Sequence, residues 1–235
     1  MIYSENILVC FAIPLLIALI FTQKNTRRFI GSYIMGMVIC LLSAYISGFI
    51  RQVTETPAED MAIYFSPIIE EIMKILPLVF YIFVFEADNN KLITVCLGLG
   101  LGFASFENSC YLMSFGAPEL TFVIIRGLAV GVMHVVCSLM LIMGIILQKR
   151  FFTLSFPGIV GALSLSTAFH GFYNLLVSEP GISTYIGYAM PVFSAIAFYF
   201  PFRTLKRQEA QKAALAQETK QGKTVQRQET GEPLP

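Results

Sequence analysis

Ser66-Pro67-Ile68-Ile69-Glu70-Glu71-Ile72-Met73-Lys74-Ile75-Leu76-Pro77 lies in the middle of an apolar run from Met61 to Phe85. A run of that length crosses a bilayer as a helix, which puts two adjacent carboxylates and an ammonium inside hydrocarbon. Each costs about 3 kcal/mol at a helix centre, so the trio costs on the order of 9 kcal/mol before pairing. A helix bearing that cost needs buried polar partners, and the rest of the chain must supply them.

The composition agrees with a membrane setting. Hydrophobic residues make up 56% of the chain and charged residues 13%, the balance of an integral membrane protein and not of a soluble domain. The net charge of +1 says nothing about nucleic acid, and no basic stripe interleaved with aromatics suggests such a partner. Cys10, Cys40, Cys96, Cys110 and Cys137 all fall in apolar runs, with no CxxC or Cys/His cluster. They read as buried small hydrophobes, not as disulfides or a structural zinc site. The apolar stretch Ile7 to Thr22 has no basic region before it and carries Glu5 instead, so it reads as an uncleaved spanning helix and not a signal peptide.

The hydropathy pattern predicts an all-α polytopic bundle of seven spans, at 3–22, 29–50, 61–86, 91–115, 120–147, 156–178 and 182–202. Short connections leave no room for a second folded domain within 1–202, whose motifs fall between 61 and 178. From Arg203 to Pro235 the chain turns polar and poor in aromatics, which reads as a frayed cytoplasmic helix and a disordered tail. Lys24, Arg27, Arg28, Lys91, Lys149, Arg150, Arg203, Lys206 and Arg207 occupy one set of alternate loops and the tail. The other set holds Arg51 and is otherwise acidic. The positive-inside rule then places the N-terminus outside and the C-terminus inside, in agreement with an odd number of spans.

On this scaffold the intramembrane polar residues share a depth. Glu70 lies roughly 14 Å below the outer end of its span at 1.5 Å per residue. Glu107 and His170 lie at similar depths on two other spans, His134 is near the middle of a fourth, and Arg126 is nearer the outer surface. One shared polar cavity explains the coincidence.

Each motif has a plain alternative. Lys74 is at i+4 from Glu70 and i+3 from Glu71, so it can pair with one carboxylate while the other points elsewhere. The neighbouring carboxylates suit general acid–base work, and Pro67 and Pro77 free backbone carbonyls as cavity-lining helices do. A Glu–Lys pair that only staples the bundle is the competing reading. Gly98 and Gly102 form a GxxxG face for close helix approach, with Glu107-Asn108 beyond it and Phe103 and Tyr111 one turn to either side. Arg126 is placed to neutralise Glu107 or Glu71. His134, alone, reads first as a packing histidine; His170 and Asn174 share a face at i, i+4. These are the only two histidines in the chain, and both are intramembrane, which favours paired use. There is no His-Glu-x-x-His, Asp60 and Asp88 lie at opposite membrane ends, and Gly181-Ile-Ser183 has no histidine after it. Zincin, aspartyl-dyad and rhomboid-type serine chemistries are thereby set aside.

Taken in order, Glu-Glu-x-x-Lys at 70–74, the glycine-rich span ending Phe103-Ala-Ser-Phe106-Glu107-Asn108, Arg126-Gly127 with His134 eight residues after the arginine, and Phe169-His170-Gly171-x-x-Asn174 resemble the PrsW family of intramembrane proteases. That family is distantly related to the CAAX-protease and bacteriocin-processing membrane proteins. The resemblance covers about Pro67 to Asn174. It implies peptide-bond hydrolysis in or at the edge of the bilayer of a multi-pass protein of the cell membrane, a bacterial plasma membrane. The implied partners are the lipid bilayer and a single-pass membrane protein substrate, for which an anti-sigma factor is the example. Carried over by motif, Glu70, Glu71, His134 and His170 would be catalytic, with Lys74, Glu107, Arg126 and Asn174 in support. The preferred mechanism has Glu70 or Glu71 as general base on a water, with His134 and His170 positioning it and stabilising the oxyanion, and no cofactor. The alternative is a bound Zn²⁺ held by Glu71, Glu107, His134 and His170. A proton-coupled transporter is the competing class, since Glu, His and Arg in mid-membrane also build proton relays.

Overall fold

The computed structural model describes residues 4–85, 89–116, 119–150 and 155–197, and a few positions between 199 and 211. Helices follow one another along these stretches: α1 (Ser4–Phe21), α2 (Lys24–Thr54), a single turn α3 (Ala58–Asp60), α4 (Ser66–Phe85), α5 (Asn89–Phe115), α6 (Leu120–Arg150), α7 (Ser155–Ser178) and α8 (Ile182–Ala197). No strand occurs among the described residues. The chain divides into two units, Met1–Phe193 and Ser194–Pro235. The polar tail expected after Phe202 lies, but for isolated positions, outside the described residues.

Among the described residues, four helices are long and apolar enough to cross a membrane: Lys24–Thr54, Asn89–Phe115, Leu120–Ile146 and Pro157–Ser178. α4 has the length, at 20 residues, but contains Glu70, Glu71 and Lys74. The apolar stretches Leu8–Ile20 and Ile182–Ala197 are shorter.

α5 is the central helix. Its residues enter all three apolar clusters: Leu92, Val95, Cys96 and Leu99 with α4 and α6, Phe103 and Phe106 with α2, and Ala104 with α6 and Tyr173 of α7. The expected GxxxG face makes the α2–α5 contact. A methyl added at Gly102 would overlap the Tyr33 carbonyl, and one at Gly98 would sit 2.7 Å from the Phe29 carbonyl. Gly36 of α2 answers from the other side, where a Cβ would strike the Leu99 carbonyl. The two backbones therefore touch, which is what small residues allow in lipid. On the α6 side, Gly100 lets α5 approach the His134 carbonyl, 3.0 Å from where a Cβ would be. That contact fixes the height of His134 against α5.

The helix leading into the Glu-Glu motif is irregular for a reason written in the sequence. Met61–Phe65 is π-helical, and the Ser66 N–H bonds to the Met61 carbonyl five residues back. In that spacing the Ala62 carbonyl would be served by the N–H of residue 67, which is proline and has none. The Asn174 side-chain amide of α7 fills the gap, donating to the Ala62 carbonyl at 2.9 Å. A π-segment of this kind often marks a functional site, and here it ends at Phe65, five residues before Glu70.

Candidate active site

Four helices bring their ionisable side chains to one place. α4 contributes Glu70, Glu71 and Lys74, α5 Glu107, α6 Arg126 and His134, and α7 Ser166 and His170. Glu71, Lys74, His134 and Ser166 are fully buried, and His170 is nearly so. This is the coincidence of depth expected from the sequence, now as contact.

The two adjacent carboxylates have separate environments. Glu71 is fully engaged: Oε1 accepts from Lys74 Nζ at 2.6 Å and from His170 Nδ1 at 2.9 Å, and Oε2 accepts from Ser166 Oγ at 2.7 Å. Lys74 also donates to His134 Nδ1 at 2.7 Å and lies 4.4 Å from the centre of the Phe103 ring. Of the two helical spacings open to Lys74, the i, i+3 pairing with Glu71 is the one formed. Glu70 points elsewhere. Its Oε2 is buried, has no hydrogen-bond partner, and lies 3.7 Å from His170 Nε2.

Donor counting sets the state of both histidines, through Lys74 for His134 and through Glu71 for His170. An ammonium has no acceptor, so His134 Nδ1 must accept, and its Nε2–H then donates to Glu107 Oε2 at 2.5 Å. Glu107 is tied in turn to Arg126, whose Nη2 is 3.5 Å from Oε1 and whose guanidinium stacks 3.5 Å from the Tyr111 ring centre. Arg126 thus meets Glu107, one of its two expected partners. His170 donates its Nδ1–H to the Glu71 carboxylate, which leaves the Nε2 lone pair facing Glu70. The two rings meet edge to face with centroids 5.1 Å apart.

A metal would find a partial cradle here. Glu70, His134 and His170 place one ligand atom each within 4.8 Å of the others, and so do Glu71, Cys137 and His170. The first group fits a catalytic zinc in type, two imidazoles and a carboxylate with a position left open. The unpartnered Glu70 oxygen and the outward His170 Nε2 are the observations that support it, and Glu71 on the far nitrogen of His170 is the usual orienting partner. The set expected from the sequence, Glu71, Glu107, His134 and His170, is not the one that converges. Glu71 falls only in the second group and Glu107 in neither; Glu71 is bonded to Lys74 and Ser166, and Glu107 to His134 and Arg126.

Asn174 reaches the site's edge through the backbone. Its amide meets the Ala62 carbonyl and not the carboxylates, so its contact is with the backbone of the π-segment. Ser166 was not singled out from the sequence. It lies four residues before His170 on the same face of α7, a spacing that would have flagged it.

A profile of the PrsW family, described as intramembrane metalloproteases, matches residues 24–200. The chain belongs to the PrsW family. No curated protein and no solved structure gave a significant match. Membership of the PrsW family makes the chain a hydrolase of the intramembrane protease type and a multi-pass membrane protein, and it sides with the protease expectation over the transporter. The matched region holds α2 and every residue of the buried cluster.

Proposed function

We propose that this PrsW-family protein is an endopeptidase that cuts a single-pass membrane protein within or at the edge of the bilayer, with Glu70 as the general base. One observation carries the choice between the adjacent glutamates: Glu70 keeps a buried carboxylate oxygen without a partner, while every oxygen of Glu71 is occupied. Glu70 Oε2 and His170 Nε2 are both acceptors 3.7 Å apart. A water donating to both would be held with its lone pair outward, oriented for attack. Attack on the amide carbon transfers a water proton to Glu70. Glu70 returns that proton to the leaving nitrogen as the C–N bond breaks. His134 would serve as N–H donor to the developing oxyanion by turning its Nε2–H away from Glu107 Oε2, its partner in the resting site. Glu71, Lys74 and Ser166 fix His170 in the required tautomer and do not touch substrate.

The metal-dependent reading is favoured by the family's description and by the convergence of Glu70, His134 and His170. In that case these three would be the ligands. Bound zinc would supply Lewis-acid polarisation and a more acidic water, with Glu71 orienting His170 as before. His134 would then give up its contact with Glu107 or with Lys74. Cleavage by purified protein that survives exhaustive chelation supports the glutamate route; activity lost to chelator and restored by Zn²⁺ supports the metal.

The setting belongs to the same proposal. Seven spans, with the N-terminus outside and the C-terminus inside a bacterial plasma membrane, are supported by the alternation of basic and acidic loops. That orientation puts the site in the outer half of the membrane. An anti-sigma factor is the kind of substrate the family resemblance supports, and the relationship to CAAX-protease-like proteins rests on the same motifs.

A further inference from the structure

Away from the buried cluster, at the other end of α4, the described residues form a concavity of about 240 Å³. α2 contributes Arg27, Arg28 and Gly31, α4 contributes Pro77 and Phe80, and α5 contributes Leu99. Its chemistry is divided. The walls are aromatic and aliphatic, and Arg27 and Arg28, near the start of α2, both line it. Ser32, the small polar group in the lining, already donates its hydroxyl to the Arg28 carbonyl at 2.8 Å. A soluble ligand would find little inside to hydrogen-bond, and the volume is below the roughly 300–1,000 Å³ of pockets that enclose drug-sized solutes.

A molecule with one anionic end and one hydrocarbon end matches this division. We propose that the α2–α4–α5 groove is a binding site for a membrane phospholipid with an anionic headgroup. Its phosphate would sit on Arg27 and Arg28 and one acyl chain would lie along Met35, Pro77, Phe80 and Leu99. Three features support it. Arg27 donates Nε to the Leu19 carbonyl and Arg28 donates Nη1 to Asn25 Oδ1, so each is anchored by one of five N–H donors and keeps others for phosphate oxygens. Phe80 and Phe85 are 63% and 58% exposed, so the groove opens sideways, where acyl chains are. Gly31 forms part of the floor, and a Cβ built there meets nothing within 4 Å. The groove is therefore open space and not a seam between touching helices. Neither the catalytic reading nor the direction of insertion enters this argument.

The test is native mass spectrometry of the full-length protein in detergent, titrated with phosphatidylglycerol or phosphatidylcholine of identical chains. Arginines near a membrane surface attract anionic lipid by about 1 kcal/mol each, so two give a preference of roughly thirtyfold. The wild-type protein should retain one phosphatidylglycerol with about that preference. R27Q/R28Q should bind both lipids about equally, and G31L, whose side chain fills the groove, should lose the retained lipid altogether. R51Q, near the far end of α2, should behave as wild type, and all variants should keep wild-type helicity. Retention of phosphatidylglycerol by G31L, or an undiminished preference in R27Q/R28Q, would overturn the assignment.

Discussion

At the residue scale the decisive feature is that Glu70 and Glu71, neighbours in sequence, are not equivalent in space. Glu71 is the hub of a buried ion pair, fully shielded together with Lys74, and Glu70 keeps a buried oxygen without a partner. Glu70→Gln should lower the rate of cleavage by about 10²- to 10⁴-fold, the usual share of a general base, with a thermal unfolding midpoint close to wild type. Lys74→Met leaves the Glu71 charge buried and unpaired, and should cost about 3–5 kcal/mol of stability. Adding Glu71→Gln to that variant should recover part of the loss in the same unfolding assay, since the two side chains are coupled. Equal losses in the single and double variants would show that the pair is not the structural unit described. The sequence made the cluster legible through cost: charges inside an apolar run require partners, and Glu107, His134, Arg126 and His170 were the ones available. It could not tell Glu70 from Glu71, because a difference of one residue on a helix is a rotation of 100° whose meaning depends on where α6 and α7 stand. Ser166 went unnoticed because a lone hydroxyl carries no burial cost that calls attention to it, so that its spacing of four residues from His170 was the one signal available.

At the element scale two helix–helix contacts position the site. α2 and α5 touch backbone to backbone at Gly36 and Gly102. Gly102→Val or Gly36→Val should separate them and greatly reduce the yield of folded protein. Gly127→Ala and Gly131→Ala, where an added methyl meets nothing within 4 Å, should change stability little. Comparable effects at all four positions, read by size-exclusion profile and unfolding midpoint, would remove the α2–α5 seam from the account. The GxxxG pattern showed in sequence that some helix approaches α5, but not that it is α2, because small residues specify closeness and not identity. The π-segment is the second case. Pro67 flagged a broken hydrogen bond, but its repair by Asn174 from α7 comes from more than a hundred residues away in the chain and has no local signature. Asn174→Leu leaves the Ala62 carbonyl bare, and should cost about 1–3 kcal/mol. Asn174→Gln should not restore that stability, as the longer arm misplaces the amide. A wild-type midpoint for Asn174→Leu would mean that the Ala62 carbonyl finds another donor.

At the scale of the whole molecule, the chain holds an expensive polar cluster inside an apolar bundle whose outer faces carry bare aromatics such as Phe49, Phe83 and Phe193. Such a surface is stable in lipid and a liability in water. The all-helical architecture was legible because hydropathy and length dictate it. The number of helices that cross was less so, because α4 fails a test of apolarity on account of the very charges that make it interesting. Labelling of single cysteines introduced at positions 24 and 56 checks the topology: a membrane-impermeant reagent applied outside intact cells should modify position 56 and spare position 24. The central claim, that Glu70 beside His170 hydrolyses a peptide bond in the membrane, is tested most directly in proteoliposomes containing the purified protein and a single-span substrate. New termini are read there by mass spectrometry. The wild-type protein should generate a defined cut in or beside the span, and Glu70→Gln, folded and equally inserted, should not. Cleavage at the same bond and rate by Glu70→Gln would contradict the account.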